Sequence, residues 1–226
     1  MSQNDKVSKT IMVFLKQLGI NERIRYVGKP LVFLLASVPL VWIVLKAFNL
    51  GSSFGANPIE EMLDHFGNWG LRLLLITLCV TPLRHLIGKP WPLRFRRMLG
   101  LFAFFYVALH FTVYAWLDQG WSLIAIGEDI VKRPYITLGL LSVVILLALA
   151  LTSPHAARRR LGKTWQKLHY LVYPAAILAV WHYWWQVKKD ITEPLIYAAI
   201  LTALLAFRAV KKWRKPPRRK RQTATV

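Results

Sequence analysis

The chain has 226 residues, 55% of them apolar, a mean hydropathy of +0.37 and a formal net charge of +21. That balance excludes an ordinary soluble domain, which carries shorter apolar runs and more charge. A single cysteine, Cys79, excludes an internal disulfide and any cysteine-built zinc or iron–sulfur centre.

The opening MSQNDKVSKT is polar and lacks the short basic start and cleavage site of a signal peptide. Residues 1–30 are therefore expected to form a cytoplasmic N-terminal segment, and the first apolar run an uncleaved anchor. Six apolar runs follow, at about 31–48, 69–86, 98–117, 135–152, 169–187 and 194–211, each near the length that spans a bilayer as helix. The expected fold is an all-α membrane protein, a six-transmembrane-helix bundle over residues 31–211. Short connections make sequence neighbours antiparallel neighbours. Residues 212–226, in the tail KKWRKPPRRKRQTATV, are basic and expected to be disordered. No repeat, linker or second domain is evident. Neither G-x-G-x-x-G nor a P-loop is present, so no nicotinamide-binding domain is expected.

Charge sets the expected orientation. A balance of +21 could mark a nucleic-acid binder, but the lysines and arginines flank apolar runs, which points to a membrane instead. With the N-terminus inside, segments 1–30, 84–97, 153–168 and 208–226 hold 25 of the 31 Lys and Arg. The positive-inside rule then selects N-in, C-in. Eight of the ten acidic residues fall on the outer side, a patchwork that a soluble partner could read.

The histidines sort by depth. His85 and His155 lie in basic inner loops and read as ordinary loop residues. His65, in MLDHFGNWGL, could cap a helix, touch a cofactor edge or do nothing. His110 stands twelve residues past Met98, about 18 Å along its span. His182 stands thirteen past His169, about 20 Å along its own. Ionisable groups at such depth are costly and rarely face lipid. Two neutral imidazoles at matching depth on different helices suit bis-histidine ligation of haem iron. The alternative is that each bonds a backbone carbonyl or a hydroxyl inside the bundle.

His169 lies near the inner boundary, where it could ligate a second haem, contact a flavin or sit among headgroups. An ideal helix sets His169 and His182 about 140° apart, off a common face. Pro174 between them allows a kink. One membrane depth inward of His110 stand Arg96 and Arg97, not a histidine. The WHYWW stretch, Trp181 to Trp185, reads as an interfacial aromatic belt. Arginines in KPWPLRFRRMLG and SPHAARRRLGKTWQK anchor headgroups or form an anion site for a flavin phosphate or haem propionates.

Four stretches together resemble a known family. GANPIEEMLDHFGNWGLRLLLITLCVTPLR, RRMLGLFAFFYVALHFTVY, KRPYITLGLLS and TSPHAARRRLGKTWQKLHYLVYPAAILAVWHYWW are similar to the MsrQ (YedZ) haem-binding membrane subunits, within the ferric-reductase-like transmembrane group. The resemblance covers roughly residues 50–200. It implies a multi-pass electron carrier of the bacterial inner membrane, binding haem b and FMN. It implies a partner, the periplasmic molybdopterin methionine-sulfoxide reductase MsrP, and a donor, quinone or a cytoplasmic flavin reductase. By position it assigns His110 and His182 as axial ligands, and His169 to an inner cofactor that Arg96 and Arg97 could contact. Larger relatives carry a second histidine on the third span and a fused flavin–nicotinamide module, which this chain lacks, so FMN is expected on the inner side. Rival readings are a ferric-ion reductase, a proton or ion transporter without haem, and a cofactor-free anchor.

Overall fold

The computed structural model describes residues 19–187 and 190–213. Most of the expected N-terminal segment and nearly all of the expected tail lie outside the described residues. Those residues form helices, with no strand among them. Five helical stretches are long and apolar enough to cross a membrane: Ile20–Ala47, Pro58–Ile87, Arg96–Asp118, Pro134–Leu151 and Thr192–Lys211. The fifth expected span, 169–187, becomes a helix over Val172–Gln186. Its 15 residues rise about 22 Å, short of a full hydrocarbon core.

In chain order the helices are α1 (Lys29–Ala47), α2 (Pro58–Ile87), α3 (Arg96–Val113), α4 (Leu123–Lys132), α5 (Pro134–Leu151), α6 (His155–Leu161), α7 (Lys163–His169), α8 (Val172–Gln186) and α9 (Thr192–Trp213). α1 continues from a π-turn, Ile24–Gly28, and α3 runs into another, Tyr114–Asp118. α2 begins earlier than hydropathy suggests because GANPIEE is a helix start. The Asn57 side chain accepts from the Glu60 N–H, Pro58 occupies the first turn and two glutamates follow. It ends at Gly88, whose φ of 71° closes the last turn.

Two antiparallel hairpins, α2 with α3 and α5 with α8, pack together and carry most of the core. Leu74, Leu78, Ala103, Tyr106, Ala175 and Ala176 are at most 2% exposed. Leu34, Leu35 and Val38 on α1, by contrast, are left exposed. They have the chemistry of a lipid-facing surface.

Proline breaks are met by side chains from neighbouring helices. Pro39 interrupts α1, and the Tyr106 hydroxyl enters the opened ladder. It donates to Ala36 O at 2.7 Å and accepts from Leu40 N at 3.1 Å. Pro82 has no N–H to offer Leu78 O, one turn back. Arg208 of α9 supplies the missing donor, Nη2 to Leu78 O at 2.6 Å. Its Nε and Nη1 are buried without hydrogen-bond partners, and the Tyr173 ring faces the guanidinium at 5.1 Å.

The connection between the third and fourth expected spans is not a plain loop. It contains α4, capped by Ser122 Oγ accepting from Ala125 N. Ile126 and Ile130 turn toward the bundle, while Leu123, Ile124 and Val131 are exposed. A short helix with apolar groups on both sides suits the bilayer interface.

Candidate functional site

His110 on α3 and His182 on α8 face one another across the seam between the two hairpins. Their ring centres are 6.3 Å apart and their planes meet at 78°. Both line an apolar-walled cavity bounded by α2, α3, α4, α5 and α8. The matched depths read from the sequence correspond to real proximity.

Each ring is aimed by a backbone carbonyl. His110 Nδ1 lies 2.9 Å from Leu63 O, and His182 Nδ1 lies 2.7 Å from Tyr135 O. A carbonyl only accepts, so each Nδ1 carries the proton and each Nε2 keeps its lone pair. Imidazoles that ligate metals are oriented by this kind of partner.

Each ring also needs a glycine beneath it. A Cβ on Gly67 would meet His110 Nδ1 at 3.1 Å, and one on Gly139 would meet His182 Nδ1 at 2.9 Å. Each glycine stands one turn after the carbonyl that holds its histidine. Each histidine follows its carbonyl partner by 47 residues. A turn deeper the correspondence continues. Gly70 packs against Ala103 O, and Ser142, its counterpart, donates to Ala175 O at 3.0 Å. The two hairpins thus present equivalent positions to the cavity. The correspondence is one of position and contact, with little more than the glycines and histidines shared in residue type.

The cavity rim near α4 is polar. Tyr114, on the π-turn one turn beyond His110, donates to Asp129 Oδ2 at 3.0 Å. Arg133 Nε lies 3.0 Å from Asp129 Oδ1. The neighbouring Tyr135 phenol, and after it the negative charge of Asp129, holds the Arg133 guanidinium above its usual pKa range. Sequence reading did not single out Gly67, Gly139, Asp129 or Arg133. The signal was faint: a glycine on each hairpin, at equal spacing before a buried histidine.

The other histidines stand apart from this cavity's lining. His65 Nε2 lies 2.9 Å from Pro39 O, and its ring stacks on Trp42. It braces α1 against α2. His169 ends α7, stacked on Trp165 at 4.0 Å with Nε2 3.3 Å from Thr152 Oγ1. A break at Tyr170–Leu171 separates it from α8, one turn before Pro174, which has no N–H to offer Tyr170 O. Arg96 and Arg97 open α3 at the opposite end from His110. Arg96 is half-buried and Arg97 is exposed. His155 lies with Arg158 and Arg159 in a shallow basic depression, and His85 lies near Phe207.

Comparison with known proteins agrees with this architecture. Residues 66–180 match the model of the ferric reductase like transmembrane component. The chain is 52% identical over 160 residues to the protein-methionine-sulfoxide reductase heme-binding subunit MsrQ of Xanthomonas campestris pv. campestris (strain 8004), covering 71% of this chain and 73% of that one. It is 51% identical over 189 residues to the MsrQ of Rhodospirillum rubrum, covering 83% and 90%. Against the MsrQ of Xanthomonas axonopodis pv. citri (strain 306) it is 47% identical over 189 residues, covering 82% and 87%. The fold and the match define a multi-pass membrane protein of the ferric-reductase-like class. Within that class, the chain belongs to the MsrQ family.

Proposed function

We propose that the chain is the haem-binding membrane subunit of a methionine-sulfoxide reductase system, with His110 and His182 as the axial ligands of a haem b. The observation that carries this reading is the spacing of the two rings. A metal about 2 Å from each imidazole nitrogen sets the ring centres roughly 6–6.5 Å apart, and the observed separation is 6.3 Å. The residues present fit the group. Two carbonyl-held imidazoles leave two Nε2 lone pairs, and the apolar wall from both hairpins suits a porphyrin face. Among the described residues no three His, Cys, Asp or Glu side chains converge as metal ligands. A tetrapyrrole, which brings four ligands of its own, asks only two of the protein.

Bound haem supplies a one-electron iron couple; the chain's residues set its environment. The Leu63 and Tyr135 carbonyls fix ring tautomer and direction, Gly67 and Gly139 allow the approach, and the cavity wall excludes water from the iron. The rim near α4 faces outward in the N-in, C-in orientation that the charge count favours. There the chain would hand electrons to the periplasmic reductase MsrP for repair of oxidised methionines. In this reading α1, α2, α3, α5, α8 and α9 span the inner membrane. Electrons enter from quinone or a cytoplasmic flavin reductase at the basic end. His169, Arg96 and Arg97 are the side chains there suited to FMN, which the resemblance implies.

The test is a reduced-minus-oxidised spectrum of the purified chain with haem and flavin stoichiometry, together with delivery of electrons to MsrP. His110→Ala and His182→Ala are expected to lose the haem band, and electron delivery with it. A full band in both variants overturns the assignment. Reoxidation of the haem by ferric ion at equal rate with and without MsrP would instead favour a ferric-ion reductase.

A further inference from the structure

Arg133 is the only lysine or arginine among the described residues lining the cavity of His110 and His182. The other charged side chains in that lining are Asp64 and Asp118. Gripping iron needs the imidazoles alone, so a cation held at the rim has some other purpose.

The rim is built to hold it. Asp129 is 7% exposed and is the only buried acidic side chain among the described residues. One of its oxygens takes the Tyr114 hydroxyl and the other faces Arg133 Nε. Tyr114 stands one turn from His110, and Arg133 stands two residues before Tyr135, whose carbonyl holds His182. The guanidinium is therefore tied to both halves of the histidine site. It is anchored through Nε, while its side chain stays 53% exposed. A guanidinium has five N–H donors, and those at its fork end suit a carboxylate.

We propose that Arg133, braced by Asp129 and Tyr114, binds the carboxylate side chains of the tetrapyrrole held by His110 and His182. This rests on the haem reading above. Arg133 fixes which edge of the macrocycle faces the α4 rim. A positive charge at that edge favours the reduced, more negative state, so it raises the midpoint potential. A plain i,i+4 ion pair that pins α4 to α5 would do neither.

The experiment uses the full chain produced in a haem-deficient host, purified, and titrated with haem or with haem dimethyl ester, whose carboxylates are blocked. The native sequence is expected to bind free-acid haem about tenfold tighter than the ester, the scale of one charge-assisted hydrogen bond. Arg133→Gln is expected to bind the two alike, with a lowered midpoint potential. Arg133→Lys keeps the charge without the fork and is expected to fall between; it also serves if Arg133→Gln does not fold. Equal binding of acid and ester by the native chain overturns the proposal, as does a native-like preference in Arg133→Gln. The haem reading fails separately: in that case His110→Ala and His182→Ala bind haem as the native chain does. If those two lose haem while Arg133→Gln keeps the preference, only the carboxylate clamp is wrong.

Discussion

Gly139 lies directly beneath the ring of His182, where a Cβ would meet Nδ1 at 2.9 Å, Cε1 at 3.0 Å and Cγ at 3.2 Å. Real Cβ atoms do not sit that close to a packed ring, so Gly139→Ala must push the imidazole off its carbonyl. The Gly67 approach to His110 is slightly looser, 3.1 Å to Nδ1 and 3.3 Å to Cε1. Haem titration of purified Gly139→Ala is therefore expected to show about tenfold or greater loss of affinity, with a smaller loss in Gly67→Ala. The reverse order would mean that the rings move more freely than this packing allows.

His65 offers a contrast within the same residue type. Its Nε2 is engaged by Pro39 O and its ring by Trp42. His65→Ala is expected to keep the full haem spectrum that His110→Ala loses, and to lower the thermal midpoint in detergent. The cost of leaving Pro39 O without this donor is about 1–3 kcal/mol.

Arg208 and Pro82 form a thermodynamic pair. Arg208→Met removes the donor to Leu78 O and is expected to destabilise by about 1–3 kcal/mol. Pro82→Ala restores a backbone N–H one turn after Leu78. In that background Arg208→Met should cost measurably less, and a double-mutant cycle on thermal stability reads the coupling. Equal costs in the two backgrounds would separate Arg208 from the proline break.

Tyr106 predicts a local effect. Its hydroxyl bridges Ala36 O and Leu40 N inside α1. Tyr106→Phe is expected to speed hydrogen exchange at the Leu40 amide, with little change in α8. Unchanged protection at Leu40 would mean that the ladder recloses once the hydroxyl is gone.

Much of this was legible in the sequence, for physical reasons. Apolar length reports helices directly, so five of the expected spans reappear as long apolar helices with shifted ends. The start of α2 was missed because Pro58–Asn68 is polar enough to hide from a hydropathy window, although Asn57 and Pro58 are a helix-start signal. Depth bookkeeping brought His110 and His182 together because helical rise is nearly constant along α3 from Met98, and the break at Tyr170–Leu171 interrupts the count from His169 only briefly. What the sequence concealed were contacts whose partner is backbone. Nothing in the letters at 63 or 135 advertises a carbonyl that aims a ring. α4 was hidden for another reason: ten residues between two spans read as loop unless the Ser122 cap is noticed. The count of six spans turns on α8, whose 15 residues hydropathy had extended to nineteen.

The equivalence of the two hairpins bears on how the protein comes to be assembled. Each contributes one imidazole, one aiming carbonyl and one glycine, so neither half alone can hold a metal on both sides. Capture of a prosthetic group between them would then cross-link separately inserted helical pairs. Occupancy would report that the second pair has docked on the first, and translation beyond α8 would have to precede it.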